Sequence, residues 1–228
     1  MAHGRDLRGT LLDRALVPLL CGGGACLLVA GVALSVTAEP AAPDDLGSVP
    51  AASAPRAAGR AIYPTDRWSS TTTGGRNLTA GARPVAVRLA GRPEARVVPQ
   101  SVAPSGQLGL PEDVGVVGWW SAGGLLGQPR GSAVLAGHVD GAGQGVGYFA
   151  SLRTASVGDR VSVRGADGRV HQYAVTARRS YRKAALPASV FSADVAHRLV
   201  LITCTGAFDP ATRSYEDNLV VYAVPIPR

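Results

Sequence analysis

The hydrophobic positions of the chain fall into three zones with different patterns. Residues 15–38 carry no charge and are largely apolar, residues 39–82 show no hydrophobic period, and short apolar runs recur from Arg83 onward. A run of about 20 apolar residues spans a bilayer core, so the first zone is predicted to be a membrane segment. The second zone, in which five prolines interrupt Ala, Ser and Thr, is predicted to be a flexible linker, because it buries too little apolar surface to offset its ordering entropy.

The third zone, residues 83–228, has the pattern of a domain made mainly of β-strands. Its alternating runs are typical of strands with one buried face, and its near-continuous apolar runs are typical of strands buried on both faces. About seven or eight such short strands, separated by Gly and Asp turns, predict a closed barrel or a sandwich. A short helix or an ordered loop is expected between Tyr181 and Val195. The alternating runs are 85–89, 160–164 and 170–176, and the near-continuous ones are 199–204 and 219–224.

Composition agrees with this reading and narrows the range of partners. The chain has 29 Gly and 16 Pro but only 5% aromatic residues, which favours strands and turns over long helical bundles. Its net charge is +7, but the basic residues are scattered arginines and Lys183 is the single lysine. No groove-reading motif accompanies them, so no nucleic acid partner is predicted.

The N-terminal residues predict how the chain sits in the membrane. Arg5, Arg8 and Arg14 precede the apolar zone, which places residues 1–14 in the cytoplasm and the domain 83–228 outside the cell. The chain is therefore predicted to be a single-pass protein of the cell membrane, with residues 15–38 as its signal anchor. A cleaved signal peptide ending at Val36-Thr37-Ala38 is the alternative, but the apolar run is longer than the roughly 7–15 residues of a usual signal core.

Cysteine usage singles out one thiol in the exported part. Cys21 and Cys26 lie in the membrane segment, so Cys204 has no intramolecular disulfide partner in the domain. One cysteine also makes a poor zinc or iron–sulfur site, and no metal or other cofactor is predicted. Cys204 ends a buried apolar strand and precedes Thr205-Gly206. Because a lone thiol is an oxidation liability in an oxidising compartment, a nucleophile is favoured over a small core residue.

A nucleophilic cysteine needs a base or a cation, because its unperturbed thiol is mostly protonated at neutral pH. Among the four histidines, His3 lies on the other side of the membrane, and His171 and His197 are interpreted as surface polar residues. His138 closes the apolar run 133–136 and precedes a Gly-rich turn. A side chain at such a strand end can reach a site.

Two segments around these residues together resemble the sortase family, and more specifically the class F sortases of high-GC Gram-positive bacteria. They are Leu-Ala-Gly-His-Val-Asp at 135–140 and Leu-Ile-Thr-Cys-Thr-Gly at 201–206. The resemblance covers about residues 83–226. Supporting segments are 117–120, 131–134, 157–159 and 217–223.

The resemblance implies a sortase-type β-barrel of about eight strands with short helices, and a cysteine transpeptidase of the hydrolase class. Such an enzyme cleaves sorting signals of the Leu-Pro-x-Thr-Gly kind in secreted surface proteins. Cys204 would attack the Thr carbonyl and form an acyl-thioester. His138 would protonate the leaving amine and then deprotonate the acceptor amine, which belongs to a peptidoglycan precursor or a pilin lysine. Thr203 and Thr205, beside the cysteine, are expected to bind substrate.

The chain departs from the family pattern at the residue that stabilises the oxyanion. Class F members carry Arg before an Asp-Asn pair, whereas this chain has Glu216 before Asp217-Asn218. Arg213, three residues earlier, is the nearest basic residue in sequence and is predicted to take the catalytic role of that arginine. Thr205, where the family usually has Gly, is a smaller departure.

Three alternatives remain beside the sortase reading. NlpC-type peptidases place Cys before His in the chain, and L,D-transpeptidases carry His-Gly-Cys, so both of these cysteine enzymes fit the order of His138 and Cys204 badly. The third alternative is a catalytically weak or inactive barrel that serves as a cell-wall binding module and holds anionic wall polymers through its positive charge. The substitution at Glu216 is the feature that favours this alternative.

Overall fold

The computed structural model describes residues 42–50, 81–102 and 108–227. These residues form eleven strands and three 3-10 helices, the latter at Tyr148–Thr154, Lys183–Ala185 and Ala188–Phe191. The strands are β1 (Leu46–Gly47), β2 (Pro84–Leu89), β3 (Ala95–Gln100), β4 (Val117–Trp120), β5 (Ser132–Ala136), β6 (Asp140–Gly141), β7 (Gly145–Val146), β8 (Arg160–Gly165), β9 (Val170–Arg182), β10 (Arg198–Asp209) and β11 (Ser214–Pro225).

Eight of these strands close into a barrel. Their order is β9, β11, β10, β5, β4, β3, β2 and β8, and β8 pairs again with β9. Neighbours are antiparallel except for β3 with β4 and β5 with β10, which run parallel. The prediction of a mainly β, closed barrel of about eight strands is thus confirmed, as are the short helices after Tyr181.

The near-continuous apolar runs arise because β10 and β11 are buried on both faces. Leu199 and Leu201 of β10 join a cluster inside the barrel to which all eight strands contribute. Val200 and Ile202, which point the opposite way, join a second cluster on the outer face. That outer cluster is covered by the last 3-10 helix, whose Phe191 packs edge-on against Trp120.

Part of the predicted flexible linker lies against the barrel. In β1, Leu46 pairs with Arg178 and Gly47 pairs with Ala177, in the part of β9 that extends past β8. The buried guanidinium of Arg178 donates hydrogen bonds to the backbone carbonyl of Asp44 at 3.1 and 3.3 Å. The backbone groups of residues 44–48 are therefore satisfied by β9, although these residues show no hydrophobic period.

The remaining N-terminal predictions fall outside the described residues. The cytoplasmic segment 1–14, the anchor 15–38 and linker residues 51–80 belong to this part of the chain. Within residues 42–50, 81–102 and 108–227, no helix is long and apolar enough to cross a membrane.

His197 is buried, in contrast to its interpretation as a surface residue. It immediately precedes β10, and its Nε2 atom lies 2.9 Å from the hydroxyl oxygen of Tyr173. The pKa of His197 is lowered to about 4, mainly by burial; a hydrogen bond with the Gly131 backbone opposes this shift and the charge of His171 adds to it. The sequence suggested exposure because Arg198 follows, but Arg198 is itself buried and donates to Ser132 Oγ at 3.0 Å.

We predict that Gly47→Ala destabilises the protein more than Gly91→Ala. Both glycines have a positive φ, but a Cβ at Gly47 would lie 2.1 Å from the Thr176 carbonyl oxygen, whereas nothing lies within 4 Å at Gly91. The control Gly91→Ala should cost roughly 1 kcal/mol for the left-handed conformation. Gly47→Ala should cost roughly 1–3 kcal/mol more through overpacking. Equal free energies of unfolding in urea would show that β1 does not dock on β9.

We also predict that His197 makes the fold sensitive to acid. Because its pKa in the folded protein is about 4 rather than 6.5, the unfolded chain binds more protons between these pH values. The free energy of unfolding should therefore be highest above pH 6.5 and fall toward pH 4, with a contribution from His197 of up to about 1.4 kcal/mol per pH unit. Urea unfolding at several pH values measures this slope. The His197→Gln variant should lose that contribution, and an unchanged slope would contradict the prediction.

Candidate active site

The parallel pairing of β5 with β10 determines where the two predicted catalytic residues lie. Ala136 is paired with Ile202, and the amide of Gly137 donates to the Ile202 carbonyl at 3.0 Å. Continuing this register by two residues places His138 beside Cys204. Adjacent strands are about 4.8 Å apart, so the two side chains are neighbours. His138 follows the carboxyl end of β5, whereas β10 continues to Asp209, so Cys204 lies partway along its strand and not at its predicted end.

Both side chains belong to the outer face of the barrel wall. Because side chains alternate along a strand, Cys204 shares the face of Ile202, and His138 shares the face of Ala136, both members of the outer cluster. Across the sheet, Cys204 pairs with Asn218, which in turn pairs with Tyr181. Cys204 is a free thiol and is partly buried at this position. The site therefore lies at the edge of the outer cluster.

The orientation of His138 is set by a loop between β3 and β4. Its Nε2 atom lies 2.8 Å from the backbone carbonyl oxygen of Pro111. Since a carbonyl oxygen can only accept, Nε2 carries the hydrogen, and Nδ1 is the nitrogen that can take up a proton. Among the contacts of the described residues, none joins the His138 ring directly to Cys204.

Gln144 holds this loop in place and was not identified from the sequence. Its amide nitrogen donates to the Glu112 carbonyl at 3.1 Å, and its amide oxygen accepts from the Val114 amide at 3.3 Å. Gln144 lies in the turn between β6 and β7, directly after the His138 segment. No pattern in the sequence indicated that this turn would bind the loop carrying Pro111.

The electrostatic environment of Cys204 contains two charged residues to which the sequence analysis gave no role. Burial raises the pKa of the Cys204 thiol; the charge of Lys183 and a hydrogen bond from it lower that pKa, and Asp140 raises it. Burial has the largest effect, so the resting thiol is protonated at neutral pH. Asp140 accepts a hydrogen bond from the Tyr215 hydroxyl, which raises the pKa of Tyr215 to about 12.

Arg213, the predicted oxyanion residue, lies at the tip of the β10–β11 hairpin. It is exposed and has a φ of 52°, a left-handed conformation that favours glycine. Within the part of the chain that the structure describes, it makes no hydrogen bond or ion pair. Its role at the oxyanion remains a prediction.

The negative charge of Glu216 is balanced by an arginine on the neighbouring strand β9. It forms an ion pair and hydrogen bond with Arg182 at the end of β9, and Nε of Arg182 lies 3.6 Å from a carboxylate oxygen of Asp217. Arg182, which immediately precedes Lys183, is therefore already engaged by two carboxylates.

Thr203 and Thr205 face away from Cys204. Both are buried, and they alternate with Cys204 along β10, so their side chains lie on the face directed to the barrel interior. Neither hydroxyl has a hydrogen-bond partner among the described residues. Their assignment to substrate binding remains a prediction.

No metal site is evident in the described ranges. None of their His, Cys, Asp and Glu side chains form a group of three or more that could hold an ion.

Comparison with known proteins identifies the family. A model of the sortase domain matches residues 94–226, which is more than half of the chain. The chain belongs to the sortase family. This membership supports a cysteine transpeptidase as its activity, and the family acts on sorting-signal substrates and amine acceptors.

Several solved sortase structures are similar to this chain. Sortase C-1 from Actinomyces oris has a TM-score of 0.50 and 20% identity, over 64% of this chain and 76% of that one. Streptococcus agalactiae sortase C1, in complex with MTSET, has a TM-score of 0.48 and 20% identity, over 63% and 67%. A lid mutant of sortase A from Corynebacterium diphtheriae has a TM-score of 0.47 and 18% identity, over 65% and 74%. No curated protein matches the chain.

Proposed function

We propose that this protein is a membrane-anchored class F sortase that cleaves a Leu-Pro-x-Thr-Gly-like sorting signal and transfers it to an amine at the cell wall. The observation that carries the proposal is the juxtaposition of His138 and Cys204 by the register of β5 and β10. The segments around these two residues support class F membership. The acceptor is an amine of a peptidoglycan precursor or a pilin lysine.

The first half of the reaction forms an acyl-enzyme. The Cys204 thiol loses its proton to Nδ1 of His138, and the thiolate attacks the Thr carbonyl carbon of the sorting signal. The tetrahedral intermediate carries its negative charge on the former carbonyl oxygen. When the Thr–Gly bond breaks, the His138 imidazolium gives its proton to the leaving Gly nitrogen, and a thioester remains on Cys204.

The second half transfers the acyl group to the acceptor. Neutral His138 removes a proton from the incoming amine as its nitrogen attacks the thioester carbonyl. Collapse of the second intermediate breaks the carbon–sulfur bond and releases the Cys204 thiolate, which recovers a proton from the His138 imidazolium. One amide bond is broken and one is formed, so the reaction needs no external energy source or cofactor.

Substitution of His138 and Cys204 should show whether the protein acts as this enzyme or as a binding module. With a Leu-Pro-x-Thr-Gly peptide, intact mass should show an adduct on the wild-type protein that hydroxylamine removes, as expected for a thioester. Cys204→Ala should form none, and His138→Ala should form it at least ~10²-fold more slowly, because general acid–base catalysis is lost. His171→Ala, on the first part of β9, is the matched control and should react normally.

The result that contradicts the proposal is an unchanged adduct in Cys204→Ala or an unchanged rate in His138→Ala. The second candidate function, an inactive barrel that binds wall polymers, is favoured by Glu216 at the position of the family arginine. It predicts no thioester in the wild-type protein, together with equal retention of wild-type protein and Cys204→Ala on purified cell walls.

The proposed location in the membrane rests on the uncharged run 15–38 and the three arginines before it. Protease treatment of intact cells should release a catalytic fragment that begins within residues 39–82, detectable by N-terminal sequencing. An exported protein of known orientation serves as the digestion control. If the domain stays intact while that control is digested, the proposed orientation is wrong.

A further inference from the structure

Lys183, the only lysine of the chain, lies on the same outer face of the barrel wall as Cys204. Lys183 follows directly after β9 and begins the second 3-10 helix. In the pairing of β9 with β11, Tyr181 lies opposite Asn218 and Arg182 lies opposite Asp217. Continuing this register places Lys183 opposite Glu216, the position at which the family resemblance predicts an arginine. Lys183 alternates with Tyr181 and so shares the face of Asn218 and Cys204.

The ammonium group of Lys183 is anchored on β11. It donates a hydrogen bond to the hydroxyl oxygen of Ser214 at 2.6 Å. The positive charge of Lys183 and a hydrogen bond from it lower the pKa of the Cys204 thiol, although burial raises that pKa by more. An ammonium has three N–H donors, so its bond to Ser214 leaves two, which can serve the thiol and a substrate oxygen.

The other charged groups near Cys204 do not compete for this role. Arg182 is paired with Glu216 and approaches Asp217. Asp140 is the anion whose charge raises the pKa of the Cys204 thiol, against the effect of Lys183. It accepts a hydrogen bond from Tyr215. Among the described residues, Lys183 is thus the cation whose charge lowers the pKa of the Cys204 thiol.

We infer that Lys183 is a catalytic residue of this protein, whose ammonium stabilises first the Cys204 thiolate and then the oxyanion of the tetrahedral intermediate. This inference rests on the proposed transpeptidase function. The negative charge moves from the sulfur to an oxygen on the carbon that the sulfur attacks, so a cation that acts on the thiol is already close to the place where the charge develops. Lysine suits this role because its compact charge sits on a flexible stem.

The experiment compares Lys183→Gln with Lys183→Arg in single-turnover acylation by the same peptide. Removal of an oxyanion donor typically slows a reaction by about 10²–10³-fold, and Lys183→Gln should show a loss of that order. Lys183→Arg keeps the charge and should retain much of the rate. Arg169→Gln, which removes an exposed cation from a distant turn, is the matched control for net charge. Because Lys183 is exposed, its variants should keep the wild-type thermal unfolding curve.

A second readout tests the contact with the thiol without any substrate. The rate of Cys204 alkylation by iodoacetamide, followed against pH, reports the fraction of thiolate. Lys183→Gln should move this profile to higher pH, and Lys183→Arg should move it less. The other groups that bear on the profile are His138 and Asp140 after β5, Arg182 on β9, and Tyr215, Glu216 and Asp217 on β11; all are unchanged in both variants.

The outcomes distinguish this inference from the proposed function. If the wild-type protein acylates and Lys183→Gln matches it in acylation rate and alkylation profile, the role of Lys183 is refuted while the transpeptidase stands. A large loss in Arg213→Gln with none in Lys183→Gln would assign the oxyanion to Arg213 instead. A hydroxylamine-resistant peptide adduct on Lys183 would also refute it, since the residue would then be an internal acceptor. If the wild-type protein forms no thioester but the alkylation profile shifts, the proposed function fails and the contact remains.

Discussion

The site depends on the parallel register between β5 and β10. In a parallel pair, residues that follow paired positions by the same number of steps lie side by side. A slip of one residue would turn His138 or Cys204 to the opposite face. Burial of β10 on both faces prevents this slip, because Leu199 and Leu201 fill the barrel interior while Val200 and Ile202 pack under the last 3-10 helix. The hydrophobic core thus fixes the geometry of the proposed catalytic pair.

The surroundings of Cys204 combine two opposing requirements. Burial keeps the thiol protonated, and a protonated thiol resists oxidation. The described residues offer it no disulfide partner. Catalysis requires the thiolate, which burial disfavours. A nearby cation and a base with an available nitrogen meet this requirement when substrate arrives, and Lys183 and His138 are placed to supply them. The thiol can therefore stay protected at rest and still react.

The sequence predicted those features that depend on local pattern. The strands that contain 199–204 and 219–224 were found because burial on both faces leaves a continuous apolar run, and His138 and Cys204 were found because each comes at the end of an apolar run. Features that depend on pairing between distant segments were missed. Arg178 and His197 are polar residues whose burial is made possible by partners far along the chain, namely Asp44 and Tyr173. Lys183 could not be linked to Cys204 until the register across β11 was known.

That register also gives Glu216 a physical explanation. An arginine at this position would lie opposite Lys183 and beside Arg182, and like charges directly across a strand pair are destabilising. A glutamate instead pairs with Arg182 and leaves the lysine ammonium directed to Cys204 and Ser214. The exchange of arginine for glutamate on β11 is thus compatible with a cation supplied from the end of β9. Loss of the arginine from its usual strand is then a relocation of the positive charge, and it does not by itself indicate an inactive enzyme.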